Sequence, residues 1–278
     1  MKRHTITIAL LFAAVISFCQ PPAIRVEKFG NGSPILFLPG FTSPGSVWNE
    51  TIKNLKGQNE SHVISYAGFN GIAPIKMPWY ETIKKELLAY ILKENLSAIR
   101  VIGHSMGGNL AVDIAAELPD RVKSLVIVDA IPCMRELMMP GVPASQIQYN
   151  NPYNNQLLKM SDSSFRQTAT MMAKQMTNNK EKIDTLINWS LVADRETYVF
   201  GYTDLLKLDL REVLHKVKAE TLILCASFPD KEIIAANYKK QYINLTSKTI
   251  EIASDSKHFI MFDQAEWFYN KVNIFFSK

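Results

Sequence analysis

Cysteine is scarce: three occur in 278 residues, too few to build a disulfide scaffold. Charge of one sign is also missing. Thirty-one Lys and Arg stand against 26 Asp and Glu, a formal net charge of +5, and no basic run exceeds two residues (Lys84-Lys85, Lys239-Lys240). A nucleic-acid-binding chain concentrates its basic residues into a patch, so this pattern argues against nucleic acid as a partner. Internal repeats and low-complexity tracts are absent too, which excludes solenoids and linker-like chains. With 47% hydrophobic and 21% charged residues, the chain has enough apolar side chains for a large core and is not intrinsically disordered. At this length one α/β domain, or a core domain with an insertion, is the leading expectation.

A basic start followed by an apolar, uncharged run opens the chain. Lys2-Arg3-His4 precedes fifteen residues, Thr5 to Cys19, without a charge. A membrane-spanning helix needs roughly 20 apolar residues, whereas a secretory signal core needs only about 7–15. Small residues at Ser17 and Cys19 set the cut before Gln20, so residues 1–19 are expected to be a signal peptide and the mature chain periplasmic or secreted. A lipoprotein anchor through Cys19 fits less well, because bulky Phe18 sits where a small residue is wanted. Nothing after Gln20 resembles a transmembrane span. Cys133 and Cys225 then remain; they could pair, but a buried thiol at the end of an apolar strand is the simpler reading for Cys225.

Past residue 20, strands and helices alternate. Strands are expected at Ile24–Phe29, Ile35–Leu38, His62–Tyr66, Ile99–Ile102, Val122–Val128, Thr221–Cys225 and Lys248–Ile252. Helices are expected at Val47–Leu55, Tyr80–Leu92, Met106–Leu118 and Gln264–Phe276, the last with Asp263 as its N-cap. Short continuous apolar strands between amphipathic helices imply an α/β fold: a mostly parallel central sheet covered on both faces. Between Ile131 and Arg211 the alternation stops. Helical patterns at Ser163–Met176, Glu181–Val192 and Thr197–Leu206 replace it, and the segment holds seven of the eleven methionines. The expected organisation is a core made of residues 20–130 and 212–278, with an all-helical cap at 131–211.

The chemistry centres on Gly103-His104-Ser105-Met106-Gly107-Gly108, between an apolar strand and an amphipathic helix. Gly-x-Ser-x-Gly in that context is a nucleophile elbow, in which a tight turn thrusts the Ser105 hydroxyl above the sheet. The helix that begins there aims its positive end at developing negative charge.

Four stretches carry a resemblance to the α/β-hydrolase superfamily: Phe37–Phe41 with Trp48, Gly103–Gly108, Leu222–Asp230 and His258–Asp263. The resemblance covers nearly all of the mature chain, in nucleophile–acid–base order. It implies that Ser105 is the nucleophile and that His258, on the loop after the last strand, is the base. His104, inside the elbow, is expected to point away from the active face. For the acid the resemblance favours Asp230. The family usually has glycine three residues earlier, where this chain has Ser227. Asp129 at the end of the Val122–Val128 strand is the alternative, with Glu232 and Asp255 behind it. The backbone N–H groups of Phe41 and Met106 are the implied oxyanion donors, in a loop where the family often has His-Gly and this chain has Pro39-Gly40.

The function implied is hydrolysis of an ester, or a related acyl bond, of a small and hydrophobic substrate through an acyl-enzyme. Acyl transfer, lactone opening, carbon–carbon hydrolysis and aminopeptidase chemistry use the same triad and stay open. A non-catalytic small-ligand binder on this scaffold is the alternative from another class. Dehalogenases and epoxide hydrolases of the fold carry aspartate at the elbow, so Ser105 argues against both. No Cys/His cluster with metal-ligand spacing and no phosphate-binding loop occurs, so neither metal nor cofactor is expected.

Overall fold

A computed structural model describes residues 21–278. The expected signal peptide lies outside the described residues. Seven strands form one sheet: β1 (Ile24–Gly30), β2 (Ser33–Leu38), β3 (Asn59–Tyr66), β4 (Ile99–His104), β5 (Val122–Val128), β6 (Glu220–Ala226) and β7 (Lys248–Ala253). Their spatial order is β1-β3-β2-β4-β5-β6-β7, and only the β1–β3 pairing is antiparallel. Sequence chemistry explains this order. The inner strands β2, β4 and β5 read as nearly unbroken apolar runs, as strands covered on both faces must. The edge strands β1 (IRVEKFG) and β7 (KTIEIA) interleave charges, which discourages further strands from adding on.

Side chains alternate between two apolar layers. Leu36, Leu38, Leu125, Ile127 and Ile223 face one side, against Ile83 and Leu87 of α2 (Trp79–Lys93) and Leu110 and Ile114 of α3 (Met106–Glu117). Ile35, Phe37, Val126 and Leu224 face the other, near Trp48, which precedes α1 (Asn49–Asn54). Between β5 and β6 the elements are all helices: α4 (Met134–Met138), α5 (Pro152–Lys159), α6 (Asp162–Met176), α7 (Lys180–Leu191) and α8 (Arg195–Lys207). After β6 come α9 (Lys231–Gln241), α10 (Ile260–Asp263) and α11 (Ala265–Phe276); Phe268 and Val272 of α11 complete the second layer. Cys133 and Cys225 are both free thiols and both buried. Among the described residues no helix is long and apolar enough to cross a membrane.

Two expectations are corrected here. The hydropathy pattern marks no element at Lys231–Gln241, yet this is α9. Asp263 does not cap the last helix, whose N-cap is Gln264. Its carboxylate instead accepts from the Thr177 hydroxyl (2.5 Å), from the N–H groups of Asn178 (2.9 Å) and Asn179 (3.2 Å), and from Lys257 N–H (2.8 Å). It thereby ties the start of α7 to the loop after β7.

The cap is fastened at three further points. Phe259 N–H donates to the Met176 carbonyl (2.9 Å), and Asp194 N–H to that of Gly68 (2.7 Å). Buried Asp204 of α8 accepts from the N–H groups of Trp79 (2.8 Å) and Tyr80 (3.2 Å), which open α2, and from the Tyr149 hydroxyl (2.5 Å). Because α2 begins after Pro78 without a side-chain cap of its own, Asp204 satisfies orphan helix donors from across the molecule. Asp204→Ala should therefore cost about 2–3 kcal/mol and lower Tm by roughly 5–10 °C in a thermal melt. An unchanged Tm would show that this carboxylate does not hold the cap.

Candidate active site

Ser105 joins β4 to α3 at φ 53° and ψ −124°, left-handed backbone that non-glycine residues adopt at a cost of about 1–3 kcal/mol. Its surroundings hold it there. Ser105 N–H donates to the Val128 carbonyl (2.8 Å), and its own carbonyl accepts from Gly108 N–H (2.8 Å). A Cβ on Gly103 would lie 2.2 Å from the Gly107 oxygen, and one on Gly107 would lie 2.1 Å from the Leu38 oxygen. Any side chain at either position would force the strand, the helix and the β2 loop apart. Within a run of buried residues, Ser105 is the one left partly accessible.

His258, on the loop after β7, holds Asp129 at 2.7 Å between Nδ1 and Oδ2. The other oxygen of Asp129 accepts from Ala226 N–H (2.9 Å) and from the Tyr238 hydroxyl (3.0 Å). Burial works to raise the Asp129 pKa, but the bonds from His258, Ala226 and Tyr238 outweigh it and keep the carboxyl below its ordinary range. Asp129 is thus ionised. With Nδ1–H donated to it, His258 carries its lone pair on Nε2. Both Ser105 and His258 line one cavity.

Asp230, favoured as the acid from the sequence, is elsewhere. It is exposed, and its carboxylate caps α9 by accepting from Ile233 N–H (2.9 Å). Glu232 lies in the first turn of the same helix. Asp255 is exposed in a turn, where its carbonyl accepts from the Asn178 amide (2.9 Å). Asp129 is the carboxylate that meets His258. The Tyr238 that steadies it went unnoticed in the sequence, because it lies on α9.

His104 does not point away from the site. Its ring packs 4.6 Å, centroid to centroid, from both His258 and Phe259, and Nε2–H donates to the His258 carbonyl (3.0 Å). Burial, then the neighbouring His258, lowers its pKa to about 3. Its Nδ1 has no hydrogen-bond partner, and a Cβ on Gly40 would lie 2.7 Å from that atom. Gly40 therefore lets the loop after β2 pass directly over His104.

That loop carries Phe41, whose ring is lodged among Phe69, Trp79, Tyr198 and Tyr202 at centroid distances of 4.9–6.0 Å. Met106 is the first residue of α3, where N–H groups have no partner inside the helix. Beside Ser105 lies a cavity of about 260 Å³ lined by Gly40, Phe41 and His258 from the core, and by Met134, Met172 and Met176 from the cap. A second cavity, about 210 Å³, is bounded by α3, α9 and the end of β5.

His104 makes stability pH-dependent. Free imidazole titrates near ~6.5, whereas folded His104 stays neutral down to about 3. Between those values the unfolded chain binds one more proton here, so stability falls as pH drops, by up to about 1.4 kcal/mol per unit. Urea unfolding at pH 7 and 4.5 should show a loss about 2–3 kcal/mol smaller in His104→Gln than in the parent. Equal losses would exclude His104 as the titrating group.

A pimeloyl-(acyl-carrier protein) methyl ester esterase of Aeromonas hydrophila is 30% identical over 126 residues. That match covers 43% of this chain and 47% of the relative, about half its length. The esterase of the same name from Legionella pneumophila (strain Corby) is 29% identical over 202 residues, 72% of this chain and 77% of the relative. Among solved structures, an esterase from Exiguobacterium antarcticum superposes with a TM-score of 0.76 at 18% identity, covering 93% of this chain and 99% of its own. The model of the α/β-hydrolase fold family matches residues 33–265, and with the parallel sheet and the Ser105 turn already described, this chain belongs to that family.

Proposed function

We propose that the chain is a serine esterase. The observation that carries this reading is the Asp129–His258 bond at 2.7 Å beside a serine held in left-handed backbone at an elbow. His258 Nε2 takes the Ser105 proton as Ser105 Oγ attacks the acyl carbon. The resulting imidazolium is stabilised by the ionised Asp129. The oxyanion rests on the N–H groups of Phe41 and Met106, each such donor contributing on the order of 10²–10³ in rate. His258 then protonates the departing alcohol, and a water activated by the same nitrogen releases the acid.

Two further observations bear on the substrate. Methionines 134, 172 and 176 with Leu186 and Leu205 give the larger cavity an apolar, adaptable wall, which suits a hydrophobic part of a small ester. The curated relatives act, by their names, on the methyl ester of a protein-borne acyl chain, which also favours ester over other acyl bonds. A pure ligand binder has no use for a strained serine beside an acid–base pair, so that alternative has less support.

A fluorophosphonate probe and p-nitrophenyl esters test the reading together. Labelling should vanish in Ser105→Ala, with turnover lower by about 10⁴-fold or more. Asp129→Asn should lose about 10³–10⁴-fold. Asp230→Asn should stay within about twofold, because asparagine caps a helix as aspartate does. Labelled Ser105→Ala would remove Ser105 as nucleophile, and a larger loss in Asp230→Asn would transfer the acid's role.

We also propose that the protein is exported, on the strength of the basic start and the uncharged run from Thr5 to Cys19. Mass spectrometry of the periplasmic or extracellular chain should find a mature N-terminus at Gln20. An intact N-terminus on the functional chain would overturn this.

A further inference from the structure

We infer that the cap holds a chamber for a long, unbranched aliphatic chain of the substrate, reached from Ser105 past a partition of Met172, Tyr198 and Tyr202. The inference rests on the esterase reading and deepens it by naming the substrate class. A cavity of about 650 Å³ lies in the cap, more than twice the volume of the one beside Ser105, about 260 Å³. Ligand sites usually span about 300–1,000 Å³, so the cavity beside Ser105 is small by itself and the cap cavity is not. Met172 of α6 and Tyr198 and Tyr202 of α8 line both cavities, which therefore share a wall. The helices change sides at that wall. On α6, Thr168 lines the cap cavity, Met172 both, and Met176 the cavity beside Ser105. Spaced four apart, these three form one stripe along the helix. On α8, Thr203 and Leu206 line the cap cavity alone, whereas Leu205 lines the one beside Ser105.

The partition is made of side chains that a guest can displace. Met172, Tyr198 and Tyr202 are each half-buried, so their surfaces are open to contact. The Tyr198 hydroxyl donates to Met172 Sδ (3.6 Å), and the Tyr202 hydroxyl to Met138 Sδ of α4 (3.4 Å). A thioether is a weak acceptor, and methionine is unbranched with three rotatable bonds, so the wall yields at small cost. The guest's chemistry follows from the lining. No Asp, Glu, Lys or Arg lines the cap cavity, so nothing there would pair with a charged group. Thr168 lies eight residues before Met176, about 12 Å along the helix. With C–C bonds of about 1.5 Å in a staggered zigzag, roughly ten bonds cover that distance. A straight chain is thin enough to pass between the partition's side chains, and one of about ten carbons reaches the cap cavity.

Two ester series test this, with the chain on either side of the scissile bond. p-Nitrophenyl butanoate is compared with p-nitrophenyl decanoate, and butyl acetate with decyl acetate. In at least one series kcat/KM should rise about tenfold or more from four carbons to ten, since each methylene taken out of water contributes up to about fourfold. The series that rises identifies the side of the ester that carries the chain. Thr168→Trp and Leu206→Trp, on different helices, each place a bulky ring in the cap cavity. In each, the ten-to-four-carbon ratio should fall at least about tenfold. The ratio within one protein cancels any general loss of folding or catalysis, and if one variant fails to fold the other carries the test. A smaller rise in both series, or a rise that survives in a folded variant, overturns the inference. Hydrolysis of the four-carbon esters without that rise leaves the esterase reading intact. Failure to hydrolyse any of the four esters overturns both.

Discussion

The site depends on a near-zero clearance between three stretches of backbone. At Gly107 the helix that begins after Ser105 runs so close to the β2 loop that a methyl group would stand 2.1 Å from the Leu38 oxygen. At Gly103 the strand meets the same helix with no more room. This contact holds the serine in backbone it would otherwise leave, and it brings the start of α3 beside the loop that carries Phe41. The two proposed oxyanion donors, Phe41 N–H and Met106 N–H, belong to the two stretches that Gly107 brings together. Interiors pack without slack, so a methyl added here displaces Ser105 and the proposed donors together.

How much of this could be read beforehand differs by element. Apolar runs such as Ile35–Leu38 and Leu125–Val128 mark buried parallel strands, because only a stretch covered on both faces can be apolar throughout. The elbow is legible because its glycines answer to backbone proximity, a local demand. The acid is not legible in the same way. Asp129 follows β5 and Asp230 follows β6, both at carboxyl ends of neighbouring strands, and no sequence spacing says which one reaches a loop more than a hundred residues away from Asp129. What separates them is local after all: Asp230 precedes a helix with Glu232 in its first turn and Lys239-Lys240 in its last, a capping arrangement. That helix went unread because few of its residues are buried, Tyr238 and Gln241 among them, so its apolar periodicity is weak.

The cap is bound to the same loops that carry His258 and Phe41. Asp263 and the Phe259 N–H join α6 and α7 to the residues flanking His258, while Gly201 of α8 sits 3.1 Å, as a virtual Cβ, from the Phe41 ring. Any displacement of these helices therefore pulls on His258 and on the Phe41 loop together. Coupling of that kind makes the methionine-lined cavity, Ser105 and His258 one unit, with the shape of the apolar wall set by the same contacts that place the proposed catalytic groups.

Electrostatics complete the arrangement through a residue that takes no part in proton transfer. In the proposed reaction His258 becomes positively charged when it accepts the Ser105 proton. Its imidazole neighbour, His104, lies 4.6 Å away and would oppose that charge if it were itself protonated. Burial prevents this by holding His104 neutral down to a pH of about 3. Gly40 keeps the roof over His104 closed, and His104 Nε2–H donates to the His258 carbonyl, fixing the backbone of His258 without adding charge. Charge can then develop on His258 with only one strong partner, the carboxylate of Asp129. Three donors hold that carboxylate ionised and in place, so the positive charge in the transition state has one favourable position.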